Sequence, residues 1–340
     1  MTKPAGPTFK YDVEHALTVS CDWAGILSPA QLDSVSHEPD LPVCNLYLIG
    51  RRPRLTIDAA SWSCDEEKVA FEVVADDGQG VSTSVHLEGP NPFGGLMVKA
   101  RSNDAQTMIE FHDNEGRLVT GAPSGMWASM YLQLTMPGTT RMEATDVDES
   151  ILDLDVVYVG QSLDQGGVVE RRLLNHATLQ RVMAETSQTA PHLEVWIVLM
   201  QFATYNKVSN FGRWVGALGT EESRQHLSRV HDTDLTTAEL TALAEAALIR
   251  YFQPLYNKTF KDHFPAPLHK TYRTVYDLDY NAVGIDFESL TTIGTRLGSK
   301  VVSPSFVHAG LFAMHSPTQR RRLLDLFEQE TGIDGLYINR

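Results

Sequence analysis

Residues 151–162 read Ile151-Leu152-Asp153-Leu154-Asp155-Val156-Val157-Tyr158-Val159-Gly160-Gln161-Ser162. The stretch predicts a strand from Ile151 to Gly160, and the chain that follows it sets the fold class. A helix is expected from about Gly167 to Glu185, then a strand from Leu193 to Phe202. A polar, Gly-containing stretch, 205–235, follows. A second helix runs from Thr236 to Phe252: Thr236 with Glu239 three residues on makes a capping box, and Gln253-Pro254 stops it. A last helix opens at Ser316-Pro317, closes a capping box with Gln319 and runs to Gly332. Mixed elements of this kind point to an α+β class.

Upstream, residues 1–136 read as β-rich. Short runs such as Leu46–Ile49, Val69–Val74 and Leu96–Ala100 are separated by turn clusters at Asp76-Asp77-Gly78, Gly89-Pro90-Asn91-Pro92 and Asn114-Glu115-Gly116. That spacing predicts a sandwich or barrel-like unit. Met136-Pro137-Gly138 is the expected boundary, because the charge balance changes there. Residues 1–150 hold 10 Lys+Arg against 22 Asp+Glu, most of the net charge of −15, whereas 245–322 hold 10 basic and 6 acidic residues. The overall sign therefore says little about what the back half binds. Three domains are expected: an acidic β-rich one over 1–138 for partner or target recognition, a second over 139–264, and an α/β extension over 265–340 packed on the second.

Cys21, Cys44 and Cys64 are odd in number and contain no CxxC pair, which disfavours a zinc ribbon or a disulfide framework. The N-terminus has no signal-peptide pattern, and apolar runs such as Val195–Met200 are too short to span a bilayer. A cytoplasmic, reducing compartment with no membrane partner is the expectation. No Walker loop, HExxH or GxSxG occurs, so nucleotide hydrolysis, zincin and serine-hydrolase chemistry lack support.

On a helical wheel for 167–185, Arg172 and His176 fall inside the apolar stripe of Val168, Leu173, Leu179 and Met183, while Arg171 and Arg181 point away. A buried guanidinium costs several kcal/mol unless paired. A phosphate would serve as partner; so would an internal carboxylate, with His176 merely packing. On helix 236–252, Leu240, Leu243, Ala244, Ala247, Leu248 and Tyr251 share a face, opposite Glu239 and Arg250. Glu245 sits at the margin, where it either reaches water or presents a carboxylate to a hard metal ion. His226 and His231 read as a solvated loop or short helix, and Asp277–Asp279 and Asp286–Glu288 as edge strand. Arg320-Arg321-Arg322 reads as a basic helical face, and the cysteines as small buried hydrophobes.

Together these elements resemble the GIY-YIG nuclease family. A strand ending Tyr158-Val159-Gly160-Gln161-Ser162 leads to a helix bearing Arg172 and His176, then a strand, then a helix with Glu245 and finally Pro254-Leu255-Tyr256-Asn257. The family's first motif has no counterpart in Arg141–Val147, which contains neither Gly nor Tyr; Tyr131 is the nearest upstream tyrosine. The resemblance implies a small antiparallel sheet flanked by helices over 139–264. It also implies divalent-metal-dependent phosphodiester hydrolysis, of DNA before RNA, with one Mg²⁺ or Mn²⁺ on Glu245. In this reading Arg172 neutralises phosphoryl charge and Tyr158 or His176 takes the proton of the attacking water. Asn257 orients Glu245 or the phosphate, and Gln161, Ser162, Lys258 and Arg320 contact the nucleic acid. The acidic front half is expected to bind a protein or a second copy of the chain. The alternative is a nuclease-like module that binds nucleic acid or protein without cutting.

Overall fold

The computed structural model describes residues 11, 13–35, 41–76, 78, 82–104, 106–133, 143–145, 149–161, 173, 176–211, 221–262, 264, 265 and 270–315. In chain order its strands are β1 (Val13–Ser20), β2 (Trp23–Leu27), β3 (Leu46–Pro53), β4 (Leu55–Cys64), β5 (Lys68–Asp76), β6 (Ser82–Pro90), β7 (Lys99–Ser102) and β8 (Met108–His112). They continue as β9 (Leu118–Pro123), β10 (Glu143–Thr145), β11 (Leu154–Gln161), β12 (Leu193–Gln201), β13 (Thr204–Phe211), β14 (Ala282–Glu288), β15 (Leu297–Gly298) and β16 (Val307–Ala313). The helices of five residues or more are α1 (Ser124–Gln133), α2 (Ala177–Thr189), α3 (Glu221–Asp232), α4 (Thr237–Phe252) and α5 (Arg273–Asp277). The α+β class holds.

Among the described residues the strands form four sheets, ordered β13-β1-β14-β16, β15-β11-β3-β12-β2, β10-β6-β5-β4 and β7-β8-β9. The division of the chain differs from the expected one. β3 pairs antiparallel with β11 on one side and β12 on the other, and β1 lies between β13 and β14. The first fifty-three residues therefore supply interior strands to the sheets of the back half. A boundary at Pro137-Gly138, which itself lies outside the described residues, would cut two sheets through their middle. The separate β-rich unit starts only at β4. Its two sheets and α1 share a core of Leu55, Phe71, Val73, Leu87, Ile109, Phe111 and Tyr131, as expected of a sandwich. It is an insertion between β3 and β11.

Burial explains the difference. β5 alternates, with Val69, Phe71, Val73 and Ala75 buried and their neighbours half-buried or exposed, as in a strand with one wet face. β3 is buried over five consecutive residues, Leu46–Gly50, because helices cover both faces. On one face Leu46, Leu48, Val156, Val159 and Val198 meet α4; on the other Tyr47, Ile49, Val157, Ile197 and Leu199 meet Leu179 and Val182 of α2. Helix α4 is buried almost all round, with ten buried residues including Ala242, Ala244, Ala246 and Ala247, since it also packs on β1, β14 and β16. The small alanines permit that close approach. The expected capping box is present: Glu239 N–H donates to Thr236 Oγ1, and Glu239 accepts from Thr236 N. Gln253 ends the helix at φ 47°.

Where the chain passes from one sheet to the other, side chains hold the corner. Asn45 donates to the Phe202 carbonyl at 2.8 Å and accepts from Phe202 N at 2.9 Å. Asp22 accepts from the N–H groups of Ala203 and Thr204. The stretch 205–235 contains β13 and α3, so the helical alternative for His226 and His231 holds. Other expectations are corrected: His226 is not solvated but buried against Tyr11, with ring centroids 3.8 Å apart. Asp286–Glu288 belongs to an interior strand, and Asp277 ends α5. Cys44 is buried, whereas Cys21 and Cys64 are partly exposed; all three are free thiols. The helix expected over 316–332, with Arg320, lies outside the described residues. Among the described residues no helix is long and apolar enough to cross a membrane.

Fragment 139–340 lacks β1, β2 and β3, leaving two sheets without interior strands. Expressed alone it should show no cooperative thermal unfolding and poor amide dispersion. A fragment that melts cooperatively would contradict the interleaved topology.

Candidate active site

The register of β11 against β3 shifts at one point: Val156 pairs with Gly50 and Tyr158 with Ile49, so Val157 is the extra residue of a β-bulge. A bulge turns consecutive side chains to the same side and re-aims the strand beyond it. Val157 and Tyr158 accordingly both pack on the face that carries Tyr47 and Leu179. Tyr158 is half-buried there, its ring 6.0 Å from that of Tyr47 and 5.5 Å from that of His176. Tyr47 is 1% exposed, and its Oη lies 3.2 Å from His176 Nε2.

Gly160 stands directly opposite Tyr47 in the ladder. A Cβ there would sit 2.5 Å from Tyr47 Cζ and Oη and 2.8 Å from Tyr158 Cε1. The glycine of the Tyr158-Val159-Gly160 motif is thus required so that both tyrosine rings can lie over the backbone.

His176 is not in the middle of a helix. With φ −80° and ψ 112° it is the N-cap of α2, and the helix proper begins at Ala177. A wheel run continuously from 167 to 185 therefore does not hold, because His176 is extended. Arg172 and Ser162 lie outside the described residues, so the expected Arg172–His176 face is not described. Leu173 is fully buried beside Leu179.

Asn257 has a different role from the expected one. Its Nδ2 donates to the Val159 carbonyl at 2.8 Å, and its Oδ1 accepts from Val159 N at 2.9 Å. Tyr256 N adds a bond to the Val157 carbonyl at 3.0 Å. β15 covers only Leu154 and Asp155 of β11, so Pro254-Leu255-Tyr256-Asn257 acts as a substitute strand along the rest of that edge. A carboxamide is the side chain that reproduces a peptide's donor and acceptor together. Next to it, Tyr256 Oη donates to Glu185, which also pairs with Arg181 at 2.6 Å. These two bonds hold the Glu185 carboxyl below the usual carboxylate range, whereas partial burial and the facing carboxylate push the Tyr256 phenol up.

The remaining candidates fall on the other side of the sheet or outside it. Glu245 is half-buried on α4, the helix that packs against the face opposite Tyr47. Gln161 closes β11 in register with Leu46, on the α4 face, and its Oε1 is buried without a partner. Lys258 is exposed. Among the described residues no group of three or more His, Cys, Asp or Glu could hold a metal ion. An Mg²⁺ ion does not need one: it keeps several waters and is commonly held by one or two carboxylates plus substrate phosphates.

The sequence reading missed Tyr47. Its signal is present in Asn45-Leu46-Tyr47-Leu48-Ile49-Gly50, an apolar strand with a tyrosine on one face, but it lies a hundred residues upstream of where a local hairpin would put it. No family model, curated protein or solved structure matches this chain.

Asn257→Ala would leave the Val159 N–H and carbonyl without partners, at about 1–3 kcal/mol each. The protein should lose about 2–4 kcal/mol in urea unfolding without any metal present. An unchanged midpoint would return Asn257 to the ligand-orienting role. Gly160→Ala should cost about 1–3 kcal/mol by overpacking against the two tyrosines, read by the same titration.

Proposed function

We propose that this chain is a divalent-metal-dependent nuclease that hydrolyses phosphodiester bonds, DNA before RNA, on a GIY-YIG-like domain split by an insertion. The observation that carries the reading is the contact of Tyr47 Oη with His176 Nε2, beside Tyr158 and over Gly160. In the antiparallel trio β11-β3-β12, with α2 between its last two strands in sequence, β3 takes the place of the family's first strand and Tyr47 that of its tyrosine. The insertion between β3 and β11 accounts for the absence of such a motif in Arg141–Val147.

Tyr47 and His176 are arranged for proton transfer. When Tyr47 Oη accepts the proton of an attacking water, its own proton passes to neutral His176 Nε2, so no charged tyrosinate has to persist in a buried place. The N-cap position of His176 fixes its ring relative to β3 and β11. Tyr158, half-exposed on the same face, packs against both groups and bounds the site where the water would attack. Asn257 acts through β11, keeping the bulged strand in register. Arg172, four residues before His176, is assigned the neutralisation of phosphoryl charge. Glu245 is carried by α4 across the sheet from Tyr47 and His176, so Glu245 and Gln161 do not fit as ligands of a metal at this phosphate; an Mg²⁺ or Mn²⁺ would polarise a phosphate oxygen on the Tyr47 side.

The test is a cleavage panel of single- and double-stranded DNA and RNA with Mg²⁺, Mn²⁺ or chelator. Metal-dependent product is expected, and Tyr47→Phe should lower the rate by about 10²-fold or more, in the range for a general acid–base group, with its melting temperature nearly unchanged. A Tyr47→Phe protein cutting at the wild-type rate would remove Tyr47 from the site. Binding without product in every metal would favour a non-cutting module.

A further inference from the structure

Away from the tyrosines, a second concavity opens where the insertion meets the body. It is a cleft of about 500 Å³ between the start of β12, the C-terminal half of α2 and the insertion, within the range of small-molecule sites. Its walls are apolar and soft: Met126 from α1, Met183 from α2, and Val195 and Trp196 from β12.

The walls are also held in place. Arg52 is fully buried and lies over the Trp196 ring at 3.9 Å. It donates to Glu194 at 3.0 Å, and Trp196 Nε1 donates to the same carboxylate oxygen at 2.7 Å. Arg52 further bonds Ser129 of α1, tying the insertion to β3. Glu194, the one acid among the described residues that line the cleft, is thus already neutralised by Arg52.

Several polar groups in the cleft are not used, among them Ser28, whose buried Oγ has no hydrogen-bond partner. Thr186 is 2% exposed and lines the cleft, yet its Oγ1 has no hydrogen-bond partner. A buried hydroxyl left unmet is costly and marks a place where a partner belongs. Arg54 lines the cleft half-buried, and among the described residues no carboxylate pairs with it.

We propose that this cleft is a binding site for a small amphipathic anion, with a flat apolar body between the two methionines and Trp196 and one anionic group at Arg54. Thr186 Oγ1 supplies the hydrogen bond that fixes the body's polar edge. Polarizable thioethers suit an aromatic body, since sulfur–ring contacts add to area burial. A cation is disfavoured because the only carboxylate there is already paired. The site goes beyond the nuclease reading and does not depend on it.

Isothermal titration of the full chain with 2-naphthoate and its neutral counterpart 2-naphthylmethanol tests this without any activity measurement. Both should bind saturably, the acid with a dissociation constant on the order of 0.1–1 mM. Arg54→Gln should weaken the acid about five- to tenfold, as for a charge-assisted contact, and leave the alcohol unchanged. Ala30 is an exposed lining residue, so Ala30→Trp fills the cleft without disturbing the core and should abolish both. No saturable binding, binding that Ala30→Trp leaves intact, or equal loss of both probes in Arg54→Gln would overturn the proposal.

Discussion

Everything in this molecule hangs on one strand being paired on both sides. β3 hydrogen-bonds antiparallel to β11 from Leu46 to Arg51 and to β12 from Leu46 to Pro53. Those ladders join the first fifty residues to residues 154–201 and produce the two faces that α2 and α4 cover. An antiparallel neighbour also explains how an insertion is tolerated. Arg51 stands opposite Asp155, with a 3.4 Å ion pair between them, so the chain leaves β3 and re-enters at β11 from nearly the same place. A unit whose ends lie together can be placed in such a turn at small entropic cost, because loop closure grows only slowly with length.

From that pairing the site follows in steps. The bulge at Val157 sets Tyr158 on the face of Tyr47. Gly160 leaves room for both rings, and Asn257 replaces the missing neighbour along the open edge of β11. His176 then reaches Tyr47 because α2 starts one residue later and packs against β12, the neighbour of β3. None of these groups is unusual alone. Their meeting depends on the ladder register, since a one-residue slip of β3 would turn Tyr47 toward α4 and Leu48 toward His176.

Local features were legible in the sequence and distant pairings were not. The capping box of Thr236 and Glu239, the stop at Gln253-Pro254 and the strand 193–201 depend on neighbours within a few residues, and the structure has them. The sandwich core of Phe71 and Phe111 was readable as alternation. The error lay in grouping Leu46–Ile49 with it. That run is apolar without alternation, the pattern of a strand buried on both faces, whereas Val69–Val74 alternates with polar partners. The wheel over 167–185 failed because an N-cap at His176 carries no local mark as strong as Ser, Thr or Asp. His226 reads as solvated in the sequence because the buried face of α3, Ser223, His226 and Val230, is too polar to register as a stripe.

The central claim is that Tyr47, from before the insertion, and His176, from after it, act as one unit. A double-mutant cycle on single-turnover cleavage in Mg²⁺ measures this directly, using Tyr47→Phe, His176→Gln and the pair. If the two share one proton path, the double variant should be no slower than the slower single variant, within about threefold, because residues acting as a unit lose their effect only once. Losses that multiply independently would contradict the shared site and separate the two halves of the chain again.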